Sequence, residues 1–210
     1  MRYADRTEAG RALAGRLTHL AGDDRAIVLG LPRGGVPVAA PVAARLRLPF
    51  DVLVIRKLGV PWHRELAMGA IGPAGVRVLH DDVIARAGIG AGQIQAVANA
   101  EAKECARQEQ LYRAGRPPLD LAARTAVLVD DGLATGASML AAIRVARAAG
   151  AAVVIAAAPV GATDTIRRLA QEADEVVVDQ PLRTLRAVGQ WYDDFTQVTD
   201  AEVLRLLAPS

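Results

Sequence analysis

Short apolar runs bounded by turn residues or charges alternate with stretches of helical periodicity along this chain. Ala26–Leu31 (AIVLGL), Asp51–Lys57 (DVLVIRK), Thr125–Val129 (TAVLV), Ala152–Val160 (AVVIAAAPV) and Glu175–Asp179 (EVVVD) are brief and rich in β-branched residues. That pattern predicts strands buried on both faces of a parallel sheet. Ahead of the first strand, Asp5–Leu20 sets Ala9, Leu13, Leu17 and Leu20 on one helical face, with Asp5 and Glu8 at capping-box spacing. Further helices are predicted over Val36–Arg47, where Pro37 is tolerated in the first turn, and over Ala91–Arg113, Ala137–Ala149, Thr163–Glu172 and Asp200–Leu207. Ala70–Ile84 reads as a β-ribbon or edge strands, clearest at Val76–Leu79. The strand-helix-strand order implies right-handed parallel crossovers. The expected architecture is α/β: a Rossmann-like parallel sheet, flanked by helices, with strand order 2-1-3-4-5.

A length of 210 residues permits one compact domain, spanning 1–210 with its core at about 24–180. Hydrophobic content of 52% with 23% charged residues describes a soluble globular chain. No apolar run is long enough to span a bilayer, and Met1-Arg2-Tyr3-Ala4-Asp5 opens no signal peptide. One cysteine, Cys105, excludes an internal disulfide and a cysteine-based metal cluster. It falls on the inward face of its helix with Ile94, Val97 and Ala98, so it reads as a small buried hydrophobe. A cytoplasmic location is the expectation. Net charge of +2, scattered arginines and 3% aromatic residues offer no basic-aromatic surface for nucleic acid.

The stretch Thr125–Ser138 (TAVLVDDGLATGAS) concentrates the chemistry. Its strand ends in two carboxylates, Asp130 and Asp131, where open α/β sheets bind ligands. A small-residue loop then feeds a helix N-terminus, whose free N–H groups and positive dipole end attract phosphate. Ala137 stands where a P-loop needs lysine, and no G-x-G-x-x-G occurs. A phosphate seat beside two carboxylates suits a phosphorylated sugar. A second candidate anion site is Pro32-Arg33-Gly34-Gly35, with two glycines for close approach and an arginine fork ahead of a helix. With strand order 2-1-3-4-5, both loops flank one crevice at the topological switch point.

An apolar run, two acids and a Thr-Gly loop resemble the signature of the type I phosphoribosyltransferases, which bind 5-phosphoribosyl-1-pyrophosphate (PRPP). The resemblance implies that Asp130 and Asp131 hold the ribose hydroxyls and act in catalysis. It implies that Leu133, Ala134, Thr135, Gly136, Ala137 and Ser138 take the 5′-phosphate. It gives pyrophosphate to Arg33, Gly34 and Gly35, with a cis peptide between Pro32 and Arg33. Arg56 and Lys57 are expected to act in catalysis too, reaching the pyrophosphate beneath a mobile lid over Leu58–Gly69 that also carries His63 and Glu65. Segments 1–22, 58–90 and 181–210 are expected to supply this lid and a small hood. There Trp191 and Tyr192 are candidates to stack on a base and Asp193 or Asp194 to read its amino groups, against the alternative of an aromatic plug closing the core. Arg113 and Arg116 are read as solvated.

The implied reaction transfers a phosphoribosyl group to a nitrogenous acceptor and releases pyrophosphate. Mg2+ is the implied cofactor, bound mainly through substrate oxygens, with Asp130 and Asp131 as candidate ligands. The implied partners are PRPP and a small nitrogenous acceptor; a homodimer stays open, and neither nucleic acid nor membrane is expected. Members acting on 6-oxopurines carry an aspartate before the Thr-Gly pair. Ala134 stands there, which disfavours hypoxanthine and guanine and leaves adenine, another heterocycle or an amine open. The other class of reading is a PRPP- or nucleotide-binding regulator without turnover.

Overall fold

The computed structural model describes residues 2–208, and within them the side chains of 64 and 65 lie outside the described set, so the expectation placed on Glu65 does too. Helix α1 (Arg6–Arg16) starts at Asp5, whose carboxylate accepts the Glu8 N–H at 2.7 Å. A 3-10 turn at Thr18–Leu20 then carries Leu20 into the core. There follow β1 (Ala26–Gly30), α2 (Gly35–Leu46), β2 (Phe50–Val52), β3 (Arg56–Val60), β4 (His63–Ile71), β5 (Arg77–Leu79), α3 (Asp81–Ala87) and α4 (Ala91–Arg113). The second half holds β6 (Thr125–Val129), α5 (Ala137–Ala148), β7 (Val153–Ala162), α6 (Thr163–Leu169), β8 (Glu175–Leu182) and α7 (Asp200–Leu207).

The five-stranded sheet is parallel, in the order β2-β1-β6-β7-β8. Counted within that sheet this is 2-1-3-4-5, as expected. Alternate residues of each strand face opposite layers. Ile27, Leu29, Ala126 and Leu128 pack with Met139, Ala142 and Ile143 of α5. Val28, Val127 and Val129 pack with Leu13 of α1 and with Val38, Val42 and Leu46 of α2. Both faces are thereby covered, which is why these strands read as unbroken apolar runs.

The second predicted strand needs correction. Only Phe50–Val52 joins the parallel sheet, while Arg56–Val60 opens a separate antiparallel sheet, β3-β4-β5. The aperiodic stretch expected to form a lid is thus largely hairpin. Leu58, Val60 and Met68 bury one face of it against Ala98, with Ile94 and Val97 of α4 packed alongside. Residues after β5 enter α3, so the ribbon predicted to reach Ile84 stops at Leu79. Among the described residues, no helix is long and apolar enough to cross a membrane.

Arg113 and Arg116 are also corrected. Arg113 is nearly buried and grips Asp51 of β2 with two bonds, 3.1 Å to Oδ1 and 3.0 Å to Oδ2. Arg116 lies 3.4 Å from the same carboxylate and donates to the carbonyls of Phe50 and Leu207. One carboxylate thus ties β2 to the end of α4, and Arg116 carries the tie on to α7.

Candidate active site

Strands β1 and β6 are neighbours, with Gly30 opposite Val129 at their carboxyl ends. Pro32-Arg33-Gly34-Gly35 and Asp130-Asp131 therefore leave the sheet side by side. The loop after β1 is pinned by Leu31 N–H to Val129 O at 2.9 Å, and the Pro32–Arg33 peptide is cis. Contact between the two segments leaves no room for side chains on the glycines. A Cβ on Gly34 would fall 2.2 Å from Asp131 Oδ2, and one on Gly35 would fall 2.3 Å from Val129 O and 3.0 Å from Asp130 Cα. Here glycine is needed for close approach, not for a positive φ. A cleft of about 510 Å³ opens at this junction, lined by Arg33, Gly34 and Asp131 with Arg6, Val188, Phe195, Gln197 and Val198.

The carboxylates sit in contrasting surroundings. Asp130 Oδ1 accepts the Asp131 N–H at 2.9 Å. Burial, and then the neighbouring Asp131 charge, push the Asp130 carboxyl up to about 7. Burial raises Asp131 as well, against the opposing pull of Arg6, whose Nε donates to Asp131 Oδ2 at 3.0 Å. The same guanidinium lies 3.9 Å from the centre of the Phe195 ring and donates through Nη1 to Thr196 O at 2.9 Å. Arg33 is half exposed, with Nη1 3.8 Å from Asp200 Oδ1. Arg6, Arg33 and Asp131 line one cleft, with Asp130 next to Asp131 in the chain and both carboxyls resisting ionisation, a setting able to hold both an anion and a diol.

The loop 133–138 leads from β6 into α5, a 12-residue helix whose N-cap is Gly136 in left-handed conformation, φ 66°. Backbone N–H groups of Ala134, Thr135, Gly136 and Ser138 have no acceptor among the described residues. Thr135 is exposed and its Oγ1 lies 3.5 Å from the Ala137 N–H. Leu133 departs from expectation: it is fully buried, its N–H bonds to Val160 O and its carbonyl to the Ala162 N–H. It anchors the loop to β7 and has no N–H to offer a phosphate.

Several expected site residues stand off this cleft. Arg56, on β3, pairs with Glu101 of α4 at 2.8 Å. Lys57 is exposed and faces a separate groove beside Gly59, Val97 and Glu101. The resemblance puts both at the end of the second core strand, and that strand ends at Val52. His63 is exposed on the ribbon, its Nδ1 accepting the Leu66 N–H at 3.2 Å. Tyr192 is buried between Tyr3 and Phe195 and donates its hydroxyl to Asp131 O at 2.7 Å. Trp191 packs on the same cluster as Tyr3 and Val160. The aromatic-plug alternative describes both residues, and neither lines the cleft as a base platform. Asp193 lies 3.6 Å from Arg2, and Asp194 accepts from the Thr196 backbone and hydroxyl.

Two cleft residues carry no clear sign in the sequence. Arg6 is one of many arginines at a helix start, and nothing local marks it as the partner of a carboxylate 125 positions away. Phe195 stands beside Trp191 and Tyr192, which are the stronger aromatic signal.

Comparison with known proteins shows the family of this chain. The family model described as phosphoribosyl transferase domain matches residues 4–191. A Mycobacterium tuberculosis protein provisionally named a phosphoribosyl transferase is 51% identical over 205 residues, covering 98% of this chain and 46% of its own length. The chain thus spans about half the length of that curated relative. The crystal structure of TT1426 from Thermus thermophilus is 40% identical with a TM-score of 0.89, covering 99% of this chain and 98% of that one. A Staphylococcus aureus hypoxanthine phosphoribosyltransferase shares the fold alone, at 10% identity and a TM-score of 0.50 over 87% of this chain and 76% of that one. The chain belongs to the phosphoribosyl transferase domain family.

Proposed function

We propose that this domain transfers the 5-phosphoribosyl group of PRPP to a small nitrogenous acceptor and releases pyrophosphate. The contact of Gly34 and Gly35 with the Asp130-Asp131 segment carries this reading. It puts a glycine-arginine loop suited to pyrophosphate against carboxylates suited to ribose hydroxyls. In the proposal, Asp130 and Asp131 hold the diol and favour the positive charge that develops on the sugar as the anomeric bond breaks. Arg33 with the Gly34 backbone N–H holds the diphosphate, the Gly35 N–H being spent on Leu31 O at 2.9 Å, and Ala134–Ser138 holds the 5′-phosphate. Holding three groups of one molecule aligns the anomeric carbon with an acceptor nitrogen, so positioning supplies much of the catalysis. Arg6, Phe195, Val188 and Gln197 border the space left for that acceptor. Ala134 cannot exchange a proton with a 6-oxopurine ring, so adenine, another heterocycle or an amine is the expected class.

Magnesium fits this donor set as a substrate-borne ion. Among the described residues no cluster of three His, Cys, Asp or Glu could hold a metal, whereas Asp130 and Asp131 would lend carboxylate oxygens to an ion that keeps water and substrate oxygens. Held there, magnesium would supply charge neutralisation for the diphosphate. A cytoplasmic enzyme, in which the segments 1–22, 58–90 and 181–210 border the core, completes the proposal.

Pyrophosphate release from PRPP with magnesium, across a panel of bases and amines, tests it. One acceptor is expected to raise release well above solvent hydrolysis. A second reading, a PRPP-binding regulator without turnover, is favoured by one observation: Arg56 is tied to Glu101, and with Lys57 it stands away from the leaving-group side. Tight PRPP binding with no release for any acceptor would select that reading.

A further inference from the structure

Three successive carbonyls of the loop after Asp131 are held by one short segment at the end of β7 and along α6. Leu133 O accepts the Ala162 N–H at 3.0 Å, Ala134 O accepts the Thr165 hydroxyl at 2.6 Å, and Thr135 O accepts from Arg168 Nη2. The peptides in this loop are trans; the cis bond lies elsewhere, at Pro32–Arg33. In a trans peptide the C=O and N–H point in opposite directions. Anchoring the carbonyls of 133, 134 and 135 toward α6 therefore turns the N–H groups of 134, 135 and 136 away from it. These are the donors without an acceptor among the described residues.

Thr165 is placed for this task. It is buried, and its methyl group closes on the left-handed Gly136, where a Cβ would lie 2.5 Å from Thr165 Cγ2. Arg168 differs from its neighbour. Arg167 pairs with Asp164, whereas Arg168 has no carboxylate within ion-pair distance among the described residues and spends a donor on a loop carbonyl.

We infer that Thr165 and Arg168 are positioning residues that pre-set the loop 134–136, so that its N–H groups converge on the sugar's 5′-phosphate before the ligand arrives. Such consecutive N–H groups form an anion-binding concavity, and holding it open in advance removes an ordering cost from binding. The inference rests on the reading of this loop as the phosphate seat. It extends that reading to a helix outside the Asp-Asp to Ser138 motif.

Calorimetric or NMR titration of the full chain with ribose 5-phosphate and with unphosphorylated ribose tests it. The ratio of the two affinities isolates what the phosphate contributes. T165V keeps the shape and removes the hydroxyl; T165S keeps the hydroxyl and gives up a methyl. T165V and, independently, R168Q are expected to cut ribose 5-phosphate affinity by about tenfold, with ribose affinity unchanged and T165S close to the parent. Because Arg168 is exposed, R168Q keeps the test open even if T165V fails to fold. Parent protein that binds the phosphorylated sugar strongly, with both variants equal to it, would overturn the inference alone. So would equal losses for both sugars, which would mean general damage. A parent that binds ribose 5-phosphate no better than ribose would overturn the phosphate-seat reading, and this inference with it.

Discussion

The Cα of Gly34 faces the Asp131 carboxylate so closely that a methyl group in between would lie 2.2 Å from Oδ2. Alanine at this position must therefore displace either the carboxylate, with its bond to Arg6, or the loop that carries Arg33. G34A is expected to lower ribose 5-phosphate affinity at least tenfold while costing about 1–3 kcal/mol of stability, the range for overpacking. G35A meets backbone atoms that have nowhere to move, so its loss of stability should be the larger of the two. Thermal unfolding alongside sugar titration checks both.

The raised carboxyl of Asp130 has a signed consequence for stability. A group whose folded pKa lies above its unfolded value contributes stability that is complete below about 3.9 and is lost as pH rises through about 7. D130N removes that loss. The variant is expected to unfold at a higher temperature than the parent at pH above 7, by about 2–4 °C per kcal/mol recovered, and to show little advantage near pH 4. The same variant should lose sugar binding, the pattern of a site that trades stability for function. Unfolding scans across pH read the sign directly.

Arg6 and Asp131 form a pair of which little is exposed on either side. R6A is expected to destabilise the protein by about 1–3 kcal/mol at pH 8, less than for a fully buried pair. Without its partner, the Asp131 carboxyl loses its chief downward pull and moves higher still. The cost of R6A should therefore shrink as pH falls and the carboxyl takes up its proton. Paired melting curves at high and low pH would show this.

The Asp51–Arg113 pair does not line the cleft and tests the scaffold. D51L strands two arginines, one of them nearly buried, and should cost about 3–5 kcal/mol; adding R113M should recover much of the loss. Ribose 5-phosphate affinity of the folded double variant is expected to match the parent. Denaturant titration with a binding measurement on the same samples checks both halves.

Much of this molecule can be read from order and pattern. Ala26–Leu31 and Thr125–Val129 announce themselves because both faces of a parallel strand are buried, and the turn after each lands at the same sheet edge. What stayed hidden depends on distant pairing. The apolar run through Asp51–Lys57 gives no local sign that the chain leaves one sheet after Val52 and enters another at Arg56. Asp51 reads as an ordinary strand-start acid until α4 brings Arg113 to it. Tyr192 and Trp191 look like a base platform because sequence shows aromatic character and not which face is covered. Arg6 becomes visible only when α1 is laid beside the end of β6.

In the proposed function, loops from two distant parts of the chain grip opposite ends of one activated sugar. Calorimetric titration of PRPP with magnesium into the parent, R33Q and G136A tests it most directly. Saturable one-site binding is expected, weakened at least tenfold in each variant, since each removes the hold on a different phosphate. PRPP that fails to bind the parent, or that binds either variant as tightly as the parent, would contradict it.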